Sequence, residues 1–353
     1  MKRKYILPLF LLIQIIFLRI LPFFPDYIEG FYSNNLFVRI SHFSRILLGK
    51  IPFSVGDCIY AVLILSAIIW FWKIRKTWRT DWKDHLLTIL GKISVFYFFF
   101  HLLWAFNYYR EPLFQKMNIE REYSDAEFLA FTKKLVTKTN EIQFAITKSD
   151  TAKIVFPYSQ KESFPMILNG YDNLAKEHPY FKYEILSVKK SLFSTPLTYM
   201  GFGGYLNPFT NEAQINYLLP MYTFPQTTAH EMAHQIGYAS ENECNFIGFL
   251  ASVKNDNLYY QYAGYSFALH YCLSIWKFKD EKVFNQLKKS VNVGILKNYK
   301  ETQDFHKKYD TFLDEGFYFL YDNFLKSNNQ KDGMDSYSKF IDLAINYYKT
   351  RKL

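Results

Sequence analysis

Three long apolar runs in the first 110 residues constrain this chain more than any other feature. Residues Tyr5 to Phe24 are apolar except for Gln14 and Arg19. As a helix rising about 1.5 Å per residue, they reach about 30 Å, one bilayer core. A second run extends from about Gly56 to Ile74. A third, from about Leu86 to Tyr109, contains Lys92 and ends in an aromatic belt of Trp104, Phe106, Tyr108 and Tyr109. Buried helices of a soluble core carry a polar face, whereas Ser94 to Phe106 has hardly any. A cleaved leader would have a shorter apolar stretch and a small-residue site, which Pro22-Phe23-Phe24-Pro25 does not offer. The expectation is three transmembrane helices.

Cations beside the spans set the orientation, because Lys and Arg resist translocation. The short loop from Lys73 to His85 carries Lys73, Arg75, Lys76, Arg79 and Lys83, and the N-terminus adds Lys2, Arg3 and Lys4. The loop from Pro25 to Val55 holds fewer: Arg39, Arg45 and Lys50. Both richer segments belong in the cytoplasm, which places everything after Arg110 outside the plasma (inner) membrane. Half the residues are hydrophobic, yet the mean hydropathy is −0.12, as expected for an apolar anchor joined to a polar domain. The net charge of +10 comes with no nucleic-acid-binding signature, so its partners are the lipid bilayer and a protein or peptide, not nucleic acid. Cys58, Cys244 and Cys272 form neither a disulfide framework nor a metal clamp and read as small buried hydrophobes.

Residues 111–353 read as a mostly helical α+β domain with a small sheet. Ser124-Asp125-Ala126-Glu127 is a capping box opening a helix through about Ile146, and Glu162 to Glu177 forms another. Tyr183 to Phe193 and Glu212 to Tyr217 are β-prone and flank the glycines of Gly201 to Pro208, which suit turns or close backbone approach. Tyr259 to Trp276, Glu281 to Leu296, Thr302 to Phe324 and Met334 to Tyr348 read as four helices with aromatic faces.

The chemistry centres on His230-Glu231-Met232-Ala233-His234, an H-E-x-x-H match. Residues four apart on a helix stack on one face, so both imidazoles can bind one Zn²⁺ at about 2.0–2.1 Å. Glu231 can then act as general base on the activated water. Thr223 with Gln226 reads as a capping box, Pro225 sits in the first turn, and Gly237 reads as the residue just past the helix end. A third protein ligand is expected on the next helix. Glu241 is favoured, with Asn245 one turn on to orient a ligand; Glu243 is the alternative, competing with a role as capping partner of Ser240.

Thr228 to Gly237, followed by Glu241-Asn242-Glu243-Cys244-Asn245-Phe246, resembles a family of membrane-anchored zincin-like proteins from Bacteroidota. Gly203 to Phe209 and Asn328 to Gly333 extend that resemblance over most of the chain. More broadly, the pattern is similar to gluzincins, in which two His and a helical Glu bind zinc. That resemblance implies metal ligands His230, His234 and Glu241 and a catalytic Glu231. The connection departs from it, because Glu241 follows His234 by seven positions where gluzincins have more. Metzincins use a short connection through a Gly, but Ser240 stands where their third His would be. In zincins an edge strand beside the metal helix holds extended substrate, which makes the strand near Glu212 to Tyr217 the candidate here. Tyr238, Tyr265, His270 and His306 are each chemically able to stabilise an oxyanion. The function expected is a membrane-anchored zinc metallopeptidase. The alternative is a non-catalytic membrane protein that uses the same domain for peptide binding or interaction.

Overall fold

The computed structural model describes residues 3–353; Lys2, one of the N-terminal cations counted above, lies outside them. Among the described residues three segments are long and apolar enough to cross a membrane, Arg3–Phe23, Val55–Ile74 and Trp82–Leu103, and most of their side chains face outward. Within them lie α1 (Ile6–Ile20), α3 (Val55–Ile74) and α4 (Trp82–Leu103). The last stops short of the expected Tyr109, because the backbone breaks at Trp104 and Ala105–Tyr109 form a separate 3-10 turn. Helices α1 and α4 pack along each other, with Gln14 donating to Ser94 Oγ at 3.0 Å. Helix α3 meets this pair near the basic hairpin, where Lys92 sits 4.5 Å over the Trp70 ring. A cavity of about 1190 Å³ lies between α3 and the pair.

The segment between α1 and α3, expected as a loop, is helical. It forms a π-helix (Ile28–Leu36) and then α2 (Phe37–Leu48). Its burial explains the order: Phe37 is fully buried, Ser41 Oγ lies 2.9 Å from Gln235 O and 2.8 Å from Asn211 Oδ1, and Arg45 donates to Ile185 O. The segments after the first and third apolar helices thus meet at one end of those helices.

Beyond the spans, α5 (Asp125–Thr147) and α6 (Gln160–Glu177) open with reciprocal capping boxes, Ser124 with Glu127 and Ser159 with Glu162. Next come β1 (Val188–Lys190), β2 (Gly204–Leu206) and β3 (Ala213–Ile215), in the order β1-β3-β2, with β1 parallel and β2 antiparallel to β3. Then follow α7 (Phe224–Gln235), α8 (Glu241–Val253), α9 (Leu258–Lys279), α10 (Glu281–Lys289), α11 (Val293–Tyr309), α12 (Phe312–Ser327) and α13 (Phe340–Tyr347). The expected helix Glu281 to Leu296 is broken at Ser290–Asn292. There Asn140 on α5 takes over the bonding, donating to Ser290 O and accepting from Asn292 N. The expected helix Thr302 to Phe324 is likewise divided, with Asp310 extended between α11 and α12. The main core gathers around α7, α8 and α9, with Phe246, Phe249, Tyr260 and Tyr262 fully buried.

The sheet is bolted to the start of α3. Ser54 caps that helix at Asp57 N, and the Glu212 carboxylate accepts from Val55 N at 3.2 Å and Gly56 N at 2.7 Å. Gln214 donates to Ser54 Oγ, and Tyr205 OH to Asp57. A buried carboxylate at a helix N-terminus satisfies two otherwise orphaned amides and meets the positive end of the helix dipole.

A second tie is Arg110. Its guanidinium makes a bidentate pair with Glu29 at 2.8 and 2.7 Å and donates to Gly237 O at 2.7 Å, while Lys116 adds a contact to Glu29 at 2.6 Å. Glu29 and Arg110 are both buried. Arg110→Ala should cost about 3–5 kcal/mol, read as lost thermal stability in detergent, because it leaves a buried charge without its partner. Burial works against ionisation of Glu29, but Arg110 and Lys116 outweigh it and bring its pKa down to about 2. The folded value lies below the unfolded value of about 4.3, so the contribution is fully present above that pH and is lost as the pH falls toward 2. Thermal stability of the wild type should decline across that window, and that of Glu29→Gln should decline less.

Candidate metal centre

Helix α7 carries His230, Glu231 and His234. Pro225 occupies its first turn, but the expected capping box is not formed: Thr223 Oγ1 turns back to donate to Pro220 O at 2.8 Å. The other end closes as expected. Gly237, at φ +92°, lets its N–H bond His234 O at 3.0 Å and Tyr238 N bond Ala233 O at 3.2 Å, the paired bonds of a Schellman motif. This sharp reversal turns the chain back within a few residues, so α8 begins close enough to present Glu241 to the imidazoles despite the short connection.

The metal-binding edges converge. Glu241 Oε2 lies 3.1 Å from His230 Nε2 and 3.5 Å from His234 Nε2. Donors about 2.0–2.1 Å from one tetrahedral zinc ion stand roughly 3.3 Å apart, so these separations bracket what the ion requires. The donor chemistry fits as well. Glu241 Oε2 and Glu231 Oε2 are buried and have no aligned hydrogen-bond partner among the described residues. All four side chains are buried, and the Glu231 carboxylate and both imidazoles offer ligand atoms within 4.8 Å of one another.

Each imidazole is oriented by its other nitrogen. His230 Nδ1 lies 2.8 Å from Asn245 Oδ1, and His234 Nδ1 lies 2.8 Å from Tyr238 O, contacts that direct both Nε2 atoms toward Glu241. Asn245 is held in turn by donating to Tyr337 O at 2.9 Å. Burial opposes ionisation of Glu241, yet the neighbouring His234 and His230 hold its carboxyl well below the usual range. Burial pushes Glu231 upward, partly offset by the two imidazoles. Glu243, the alternative ligand, points away: it accepts from Leu113 N at 2.6 Å and does not cap Ser240, whose hydroxyl donates to Asn242 Oδ1. Burial raises its pKa to about 7. Cys244 is buried in the core as expected, and its thiol also donates to Tyr238 O beside His234.

Two residues at the site carried no sequence signal beyond their place in aromatic helices. Tyr321 of α12 donates its hydroxyl to Glu241 Oε1 at 2.9 Å, and the Tyr337 ring stacks 6.3 Å from that of His230. The four candidates for oxyanion contact sit elsewhere: Tyr238 under Arg110, Tyr265 against Phe249, His270 against Tyr299 and His306 against Phe305.

The strand expectation also needs correction. β3, within the Glu212 to Tyr217 stretch, is the central strand, and the edge beside α7 is β2, drawn from the glycine segment read as turns. Close approach is the reason: a Cβ on Gly204 would lie 2.8 Å from Glu231 Oε1 and 2.7 Å from Gln214 O. Asn216 N bonds Gly203 O and Asn207 N bonds Glu212 O, so the alternation of an antiparallel pair turns the N–H and C=O of Gly204 and Leu206 away from β3. Gly204→Ala should force β2 off α7 and lower stability by about 1–3 kcal/mol in thermal unfolding, the usual penalty of overpacking.

No curated protein and no solved structure matches the chain. One family model does, across residues 32–345, a span that begins inside the π-helix and takes in two of the three apolar helices and both helices of the candidate centre. By that match over most of its length, the chain belongs to the family described as Protein of unknown function (DUF3810).

Proposed function

We propose that this protein is a zincin-like, membrane-anchored zinc peptidase, with its domain on the extracytoplasmic face of the plasma membrane. The observation that carries the reading is the convergence of His230, His234 and Glu241 with Glu231 alongside and an open strand edge at Gly204. Orientation rests on the five cations between Lys73 and Lys83, which favour a cytoplasmic hairpin.

His230, His234 and Glu241 would hold the ion. Zinc supplies Lewis acidity, making a water acidic enough to lose its proton near neutral pH and drawing electron density from a carbonyl. Glu231 would take a proton from the attacking water on Oε2 and, as the water oxygen becomes bonded to the peptide carbonyl carbon and the C–N bond breaks, would hand that proton to the leaving nitrogen. Asn245 and the Tyr238 carbonyl keep both imidazoles in the ligating tautomer, and Tyr321 fixes the Glu241 carboxylate. The outward amides of Gly204 and Leu206 suit pairing with an extended substrate backbone, which would run past Glu231.

Detergent-purified protein should contain zinc by elemental analysis, and His230→Ala should lose it. Glu231→Gln should retain the metal while peptide hydrolysis falls by a factor of about 10²–10⁴. Metal bound without any dependence of hydrolysis on Glu231 would favour the non-catalytic alternative. Asn245→Ala should weaken zinc about 10–100-fold in a chelator titration, since it removes the partner that orients His230.

A further inference from the structure

The centre is fixed to the ends of two transmembrane helices. Trp104, where α4 ends, donates its indole N–H to His234 O at 3.3 Å and sets its ring 5.8 Å from that of His234. On the other side, β2 is held over the start of α3: Tyr205 bonds Asp57 and stacks on Tyr60 at 6.3 Å. The β2–β3 turn then reaches across, with Phe209 against Tyr60 of α3 and against Phe96 of α4 at 4.9 Å. The open edge of β2 therefore lies at the membrane surface, at the mouth between α3 and α4.

Directly below that mouth is the cavity between α3 and the α1–α4 pair. Its walls include Leu63 and Ala67 on α3 and Thr88, Phe96 and Phe99 on α4, and its upper end is Phe209 itself. Along α4 it extends from Asp84 to Phe99, which at helical rise is about 22 Å. An acyl chain fills one leaflet, about 15 Å or half of the ~30 Å hydrocarbon core. The groove is longer than one leaflet and follows about three-quarters of the path of an apolar helix through the bilayer, with Arg3, Lys4 and Asp84 at its far end, where such a helix would meet the opposite interface. Beside the centre, α12 exposes Tyr318, Phe319 and Leu320, and its Phe324 packs on Phe100 of α4, which sets further apolar side chains at the same level.

Resting on the peptidase reading, we infer that the substrate is a protein anchored by its own transmembrane helix, which docks between α3 and α4 and presents its extracytoplasmic juxtamembrane segment to β2 and Glu231. The anchor would act by holding the scissile segment at high effective concentration along the strand edge.

The test uses full-length protein, zinc-loaded, in phosphatidylethanolamine and phosphatidylglycerol vesicles. The probe is a synthetic peptide with an apolar helix of about 20 residues followed by a randomised juxtamembrane segment, cleavage being read by mass spectrometry. The same segment is offered free and on a palmitoyl chain, which gives membrane enrichment without a helix. The helix-borne form should be cut at least about tenfold faster than the acylated one. Ala67→Trp, which fills the groove, should remove that advantage and leave the free segment's rate unchanged. Equal rates on helix and acyl chain, or equal loss on all three forms in Ala67→Trp, would overturn the inference. Absence of cleavage in every arm counts against the peptidase reading, and docking is then decided separately. A photo-crosslinker at position 67 in the Glu231→Gln protein should capture the helical peptide, and failure to capture it would overturn docking.

Discussion

The Arg110 guanidinium joins three parts of the chain that would otherwise have no fixed relation. It pairs with Glu29 from the segment after the first span, donates to Gly237 O just past the end of α7, and lies 4.3 Å over the Tyr238 ring. Arg110 itself follows directly on the neck that leaves the third span. Because Gly237 and Tyr238 form the Schellman reversal, and Tyr238 O orients His234, the clamp fixes imidazole geometry through one turn of backbone. A flexible tether between anchor and domain would leave these groups in solvent. Here they are buried, and the anchor is part of the site's support.

What the sequence made legible was local and periodic. The apolar runs announce their helices because a bilayer demands a fixed length. The boxes at Ser124 and Ser159 form because both partners are close in sequence and exposed. The spacing of His230 and His234 places both rings on one face, and Glu241 stood out because Asn245 follows it one turn on; the reversal at Gly237 that brings Glu241 near the rings is what the short connection did not reveal. What escaped was set by distant groups. Thr223 has a capping residue's identity, yet a nearer carbonyl at Pro220 takes its hydroxyl. Gly203 to Leu206 looks like a turn, and only the need to pass close to Glu231 explains glycine in a strand. Asn140 breaks a helix 150 residues away, and Tyr321 reaches Glu241 across 80. No window of local sequence contains such pairs.

Sheet and membrane are similarly inseparable. Each strand is three residues long, too short for a stable ladder in isolation, and order comes from what the strands touch. One face of β2 lies against α7 at Glu231, while Tyr205 reaches the other way to α3. The strand edge is therefore held between α7 and the apolar helix α3, which fixes its distance from the Glu231 carboxylate.

The Glu212 carboxylate on the first turn of α3 also bears on how the protein is made. The amides of Val55 and Gly56 are satisfied by a residue that follows them by 157 and 156 positions. At about 5–20 residues per second, roughly 8–30 s of synthesis separate the two. Until Glu212 is in place, Ser54 caps α3 at Asp57 N alone, so completion of that first turn waits for the sheet. The end of an apolar helix and the order of the sheet are thereby linked: a chain whose sheet fails to form keeps the Val55 and Gly56 amides without their carboxylate.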